Sequence, residues 1–343
     1  MPMPQDLPPE QSRRARNIAV MTVLGILIAV TFIISMNTGF IRLLPMDVMR
    51  TLFGMGTEDQ SLILFEFRLP RIIISVLAGA GLAVSGCIIQ GITRSPLADP
   101  GILGINAGAG LMVVLFISFY PTREVVPVFM LPVLALIGAG LASMLIYTLA
   151  YQKHRGLSPT RLLLTGVAVA SGISAAMIVL TLKFDPNQYQ FVATWLAGTI
   201  WGSNWKFVLA LLPWIIVLFG YVFYKARVLN ILNLGEQTPT GLGLSVEKDR
   251  RLLLLSAVAL AGSSVAVSGG IGFIGLIGPH LAVRLVGPRN QALLPASALV
   301  GALLLIISDT LGRSILQPSE LPAGIIVAVI GAPYFLYLLA RAK

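Results

Sequence analysis

Runs of about twenty apolar residues, broken only by short charged or Pro/Gly-rich stretches, recur along this chain from Ile18 to its end. That spacing leaves few options. A helix rises 1.5 Å per residue, so about twenty residues cross the ~30 Å hydrocarbon core of a bilayer. Runs of this length read as membrane-spanning helices. A water-soluble core does not fit, because only 11% of residues are charged and 56% are hydrophobic, against roughly 25% charged in soluble domains. The predicted fold class is an all-α polytopic membrane protein with about ten transmembrane helices. They fall near residues 17–37, 71–92, 101–120, 126–150, 159–182, 206–225, 252–270, 272–286, 291–312 and 321–340. The third and eighth are short and Gly-rich. A further apolar piece near 190–200 is too short to cross and reads as a partly inserted helix.

Residues 1–16 read as a polar, disordered cytoplasmic tail, and 17–343 as one transmembrane domain with a cytoplasmic loop at 227–251. Arg13, Arg14 and Arg16 lead into an apolar run too long for a cleaved leader, which predicts a retained first span. The net charge of +10 would suggest nucleic acid for a soluble protein. Here it reads as loop Lys and Arg obeying the positive-inside rule, with membrane lipid, not nucleic acid, as the implied environment. With ten alternating spans, 16 of the 24 Lys and Arg residues fall on the side of the termini and 8 on the other. That bias predicts cytoplasmic termini. The single Cys87 excludes an intrachain disulfide, and His154 and His280 stand alone, so no metal site is expected.

Leu77-Ala-Gly-Ala-Gly-Leu-Ala-Val-Ser-Gly86 recurs as Leu260-Ala-Gly-Ser-Ser-Val-Ala-Val-Ser-Gly269, with seven of ten positions matching at an offset of 183 residues. The copies lie five spans apart and so cross in opposite senses. Either this is the trace of an inverted five-plus-five repeat, common in transporters, or low-complexity membrane composition produces the match. No G-x-x-x-x-G-K-[ST] occurs, so no ATP hydrolysis by this chain is expected. No carboxylate or Lys stands at mid-depth in a long span, as ion-coupled carriers usually require. Asp309, near the end of the ninth span, is placed for a local i, i+4 ion pair with Arg313. A transporter so built draws its energy from a partner.

Three groups of residues carry a resemblance. The first is Arg68-Leu-Pro-Arg71, the Leu77–Gly86 stretch, Gln90, and Arg94-Ser-Pro-Leu-Ala-Asp-Pro100 with Gly101-Ile-Leu-Gly104. The second is Gly269-Gly-Ile-Gly-Phe-Ile-Gly-Leu-Ile-Gly-Pro-His280. The third is Glu320-Leu-Pro-Ala-Gly324 with Gly331-Ala-Pro-Tyr-Phe335. Together they resemble the permease subunits of bacterial ABC importers for iron–siderophores, haem and vitamin B12, the FecCD-type family, over about residues 17–340. Ser95 and Ala323 depart from the usual Asn and Val. The resemblance implies a non-catalytic translocation subunit in the bacterial plasma membrane. Its partners would be a second permease, identical or related, two cytoplasmic ATPases and an extracytoplasmic substrate-binding protein. ATP and Mg would sit on the ATPases, with no cofactor on this chain. A ferric siderophore is the expected cargo. Haem or cobalamin is the alternative within the same architecture. An ion-coupled secondary transporter is a further one, and an intramembrane enzyme finds no residue constellation to support it.

The resemblance also implies sites. Arg68, Arg71 and Arg313 match outward-facing arginines that meet carboxylates of the binding protein; headgroup anchoring is the other reading of each. Leu234, Gly235, Glu236, Gln237 and Gly243 fall in the loop expected to contact the ATPase, against a plain amphipathic loop. Gly166, Ala170 and Ser174 share one face of the fifth span, with Ser171 beside it. That small, weakly polar face suits passage of a bulky ligand, or equally plain helix packing. Trp195 reads as a rim residue of the path or as an interfacial aromatic.

Overall fold

A computed structural model describes residues 10–39, 45–120, 129–152, 156–200, 202–233, 246–316 and 319–341. Among them, seven helices are long and apolar enough to cross a membrane, and three shorter apolar helices accompany them. The α-helices of the described residues are α1 (Glu10–Asn37), α2 (Pro45–Leu52), α3 (Glu58–Ser61), α4 (Leu69–Thr93), α5 (Ile105–Phe119), α6 (Met130–Ala150), α7 (Pro159–Thr181), α8 (Pro186–Leu196), α9 (Trp205–Tyr224), α10 (Ala226–Leu232), α11 (Val246–Ser268), α12 (Ile274–Val286), α13 (Asn290–Ile315) and α14 (Ala323–Arg341). The shorter three, α5, α12 and α14, complete the ten expected spans, and α8 is the short helix expected after the fifth.

Several boundaries moved: the loop expected over 227–251 is helical at both stems, in Ala226–Leu232 and from Val246, and the starts of the first two spans moved as well. Residues 10–16, read as tail, are helical and continue α1, because Glu10, Gln11, Ala15 and the arginines are good helix formers. The second span begins earlier than its hydropathy. Leu62–Arg68 form π-helical turns that join α3 to α4 in one rod from Glu58 to Thr93. Arg68 and Arg71 broke the apolar run in sequence without breaking the helix.

The exterior confirms the solvent. Ile26, Val30, Ile33 and Ile34 of α1, Leu141, Met144 and Leu145 of α6, and Ile216 and Val217 of α9 are all exposed. Apolar surface on this scale is not tolerated in water. The chain is a multi-pass membrane protein.

Inside, small residues let backbones meet. A Cβ on Gly79 would fall on the carbonyl of Gly301, and one on Gly301 on the carbonyl of Gly79; Gly108 and Gly138 stand in the same reciprocal relation. These crossings join α4 to α13 and α5 to α6, and α4 with α13 is the most extensive helix contact among the described residues. Packing of this kind drives association in lipid, where the hydrophobic effect between helices is absent. Hydroxyls add cross-links: Ser85 Oγ donates to the Ala257 carbonyl at 2.7 Å, and Ser143 Oγ to the Leu103 carbonyl at 3.0 Å.

The two copies of the sequence repeat lie in α4 and α11 and pack on each other. Gly81 sits against Ser264, its own equivalent at the offset of 183. Ser85 reaches back to Ala257, so the helices run antiparallel. Equivalent positions meet where a two-fold relation between inverted halves places its axis.

Candidate functional site

The helix ends gather into two polar clusters at opposite ends of the bundle. The first joins the C-termini of α1 and α13 to the N-terminus of α4 and the connection before α14. Arg71 Nε and Nη2 converge on Asp309 Oδ1 at 2.9 and 2.8 Å. Arg71 Nη1 meets Glu320 Oε2 at 2.7 Å. Arg313 Nε lies 3.1 Å from Asp309 Oδ2, the i, i+4 pair read from sequence. Arg313 also donates to the Thr38 carbonyl at 3.1 Å and to Ser35 Oγ, and Arg68 donates to the Met36 carbonyl. The guanidinium groups thus replace water on backbone ends that helix geometry leaves open.

Burial within this cluster is uneven. The side chains of Asp309, Arg313 and Arg71 are 1%, 4% and 12% exposed, and that of Glu320 is 34% exposed. Arg68, Arg71, Arg313 and Glu320 line one cavity of about 800 Å³, together with Asp59 and Phe67. The three arginines singled out in sequence are therefore neighbours on one concave surface. In this chain they point into a shared network more than into open solvent.

The second cluster surrounds the stems of the 227–251 loop. Arg94 closes α4 in the left-handed region at φ 51°, and its Nε donates to the Leu232 carbonyl at 3.2 Å. Asn230 Oδ1 accepts from both the backbone N–H and the side-chain amide of Asn290, at 2.8 and 2.9 Å, while its own amide donates to Gln291 Oε1. Lys225 pairs with Asp249 at 2.9 Å, bridging α9 to the first turn of α11. Arg250 Nη1 donates to the Leu157 carbonyl at the entrance of α7. Leu234, Gly235, Glu236, Gln237 and Gly243 themselves lie outside the described residues.

A third feature is the face of α7. Gly166, Ala170, Ser171 and Ser174 line a cavity of about 590 Å³. Gly166 has a specific task there, since a Cβ would fall on the Ile102 carbonyl; its absence lets the 3₁₀ turn Pro100–Leu103 approach α7. Asp99, which caps that turn by accepting from the Gly101 N–H at 2.7 Å, lines the same cavity. Burial pushes the Asp99 carboxyl up to about 6, and the Gly101 hydrogen bond opposes this in part. Trp195 stands apart. It is 7% exposed and packed in the core, where its carbonyl accepts from the Gly270 N–H at 3.2 Å.

Three residues carry more of these sites than sequence reasoning assigned them. The sequence places Asp309 only in a local pair with Arg313, and gives Glu320 and Asp99 no role beyond membership of their motifs. The available signal was a carboxylate beside a span boundary.

The comparisons with known proteins agree over nearly the whole chain. The FecCD transport family matches residues 27–341. The iron(3+)-hydroxamate import system permease protein FhuG of Bacillus subtilis is 50% identical over 97% of this chain and 100% of its own length. The Fe(3+)-citrate import system permease protein YfmE of the same organism is 43% identical over 95% of this chain and 96% of its own. A solved structure described as an inward-facing conformation of a metal-chelate type ABC transporter superposes with a TM-score of 0.81 at 30% identity, covering 95% and 99% of the two chains. By motif, fold and near-complete alignment, this chain belongs to the FecCD transport family.

Proposed function

We propose that this chain is the translocation subunit of an ATP-driven importer that carries a ferric siderophore or similar iron chelate across the bacterial plasma membrane. The observation that carries the reading is the full-length match to an iron–hydroxamate permease at 50% identity. The two polar ends of the bundle fit the two faces such a subunit needs. With both termini cytoplasmic, the cavity of Arg68, Arg71 and Arg313 faces outward, toward an acidic surface of a substrate-binding protein. The 227–251 loop faces the cytoplasm, where Leu234, Gly235, Glu236, Gln237 and Gly243 would contact an ATPase. The chain works with a second permease, identical or related, and two ATPases that hold ATP and Mg. It needs no cofactor of its own. The α7 face of Gly166, Ala170, Ser171 and Ser174, with Asp99 at its side, is the candidate path.

The test is purification from native membranes followed by uptake of an iron-loaded trihydroxamate. The expected result is co-purification of a permease, an ATPase and a binding protein, with uptake abolished when the ATPase is inactivated. Uptake that persists without the ATPase would overturn the reading in favour of a secondary carrier.

A further inference from the structure

We infer that Glu320 is an internal stand-in for the incoming carboxylate: it occupies Arg71 in the undocked permease and gives way to a carboxylate of the binding protein on docking. The inference rests on the docking role proposed for the arginine cavity and adds to it a mechanism of exchange.

Arg71 has two acidic partners of different kinds. Asp309 stands within α13, is 1% exposed and is gripped by both Arg71 and Arg313. It is the fixed floor of the cluster. Glu320 lies in the connection between α13 and α14, is 34% exposed and meets Arg71 through one oxygen. It is the partner that can leave. It must leave for docking to occur, because Arg71 with Glu320 in place is only 12% exposed.

Exchange solves an electrostatic difficulty. A desolvated guanidinium that loses a partner is strongly destabilised. Replacing one carboxylate with another keeps Arg71 doubly paired before and after docking, while the displaced Glu320 passes to solvent. The cavity of about 800 Å³ that both residues line gives the arriving side chain room. The backbone need not move: Leu321 N–H stays on the Gly312 carbonyl at 3.0 Å, so turning the Glu320 side chain suffices. The stand-in also blocks Arg71 from weaker anions, and selects a partner whose carboxylate arrives with other contacts.

The test uses the assembled importer in lipid nanodiscs and the binding protein that co-purifies with it, with association measured at low and at physiological salt. Glu320→Gln removes the competing charge at nearly constant shape. It is expected to tighten association about two- to fivefold, the range set by loss of one partly exposed ion pair. Glu320→Asp, which withdraws the carboxylate by one methylene, is expected to shift in the same direction by less. Unchanged or weaker association for both variants overturns the inference. Arg71→Gln, measured in parallel, separates the two levels. If it weakens association while Glu320→Gln is neutral, docking stands and the stand-in falls. If it leaves association unchanged, the docking reading falls with it.

Discussion

Asp309→Asn is the most informative single perturbation of the bundle. In the native chain the carboxylate is 1% exposed and lies 2.8 Å from Arg71 and 3.1 Å from Arg313. The amide keeps the shape but removes the charge, leaving two guanidinium groups, 12% and 4% exposed, with Glu320 still paired to Arg71. Removing one member of a buried pair typically costs about 3–5 kcal/mol, most of it the penalty for the charge left behind. Asp309 serves two cations, so the upper part of that range is expected. The measurement is unfolding of the purified protein in mixed micelles by titrated denaturing detergent, read by tryptophan fluorescence. The logic makes a second demand. Asp309→Asn combined with Arg313→Gln removes one positive charge as well, so the double variant should be more stable than the sum of the singles predicts, by about 1–3 kcal/mol. A single variant within ~0.5 kcal/mol of native, or strictly additive singles, would refute the claim that this carboxylate holds the cluster.

Two other outcomes are expected. Gly79→Ala places a methyl against the Gly301 carbonyl and 2.9 Å from Leu305 Cβ; backbone cannot rotate away, so stability should fall by about 1–3 kcal/mol in the same assay, whereas Gly140→Ala, with nothing within 4 Å, should be neutral or slightly stabilising. Asp99 titrates near 6 in the fold against a reference of 3.8, so the folded state binds the extra proton between these values. Its contribution is therefore least unfavourable below about pH 4 and worsens as pH rises through 6, by at most roughly 3 kcal/mol. Asp99→Asn should flatten that part of the stability profile and match or exceed native stability at neutral pH; an unchanged profile would refute the assignment.

Much of this architecture is legible in the sequence, for a physical reason. In lipid each span must satisfy its own backbone, so hydropathy and length fix the helices almost independently of one another. That is why α6, α7 and α9 fall within a few residues of their expected positions, and why the Gly-rich third and eighth runs become the short α5 and α12. The repeat was legible from its seven identical positions; the structure adds that its copies in α4 and α11 pack on each other, with Gly81 against Ser264. The sites were less so. Arg71 finds its carboxylates 238 and 249 residues away, beyond any local spacing rule. Asp99 joins the α7 face only because Gly166 admits the turn that follows it. The start of the second span was hidden by arginines that the fold pairs internally instead of leaving outside.

One helix pair has a mechanical consequence. α4 bears Arg71 at one end and Arg94 at the other, and α13 bears Asn290 at one end and Asp309 with Arg313 at the other. Between them the two rods touch at bare backbone, at Gly79 and Gly301. Such a pair can act as a strut, since at that crossing no side-chain layer separates the backbones to take up displacement. The stems at Asn230 and Leu232 are tied to both rods, to α13 through Asn290 and to α4 through Arg94, so a displacement of the stems would act on both together. The two polar ends of the bundle are then the two ends of one rigid member, and the face of α7 beside its cavity can stay soft without weakening the tie between them.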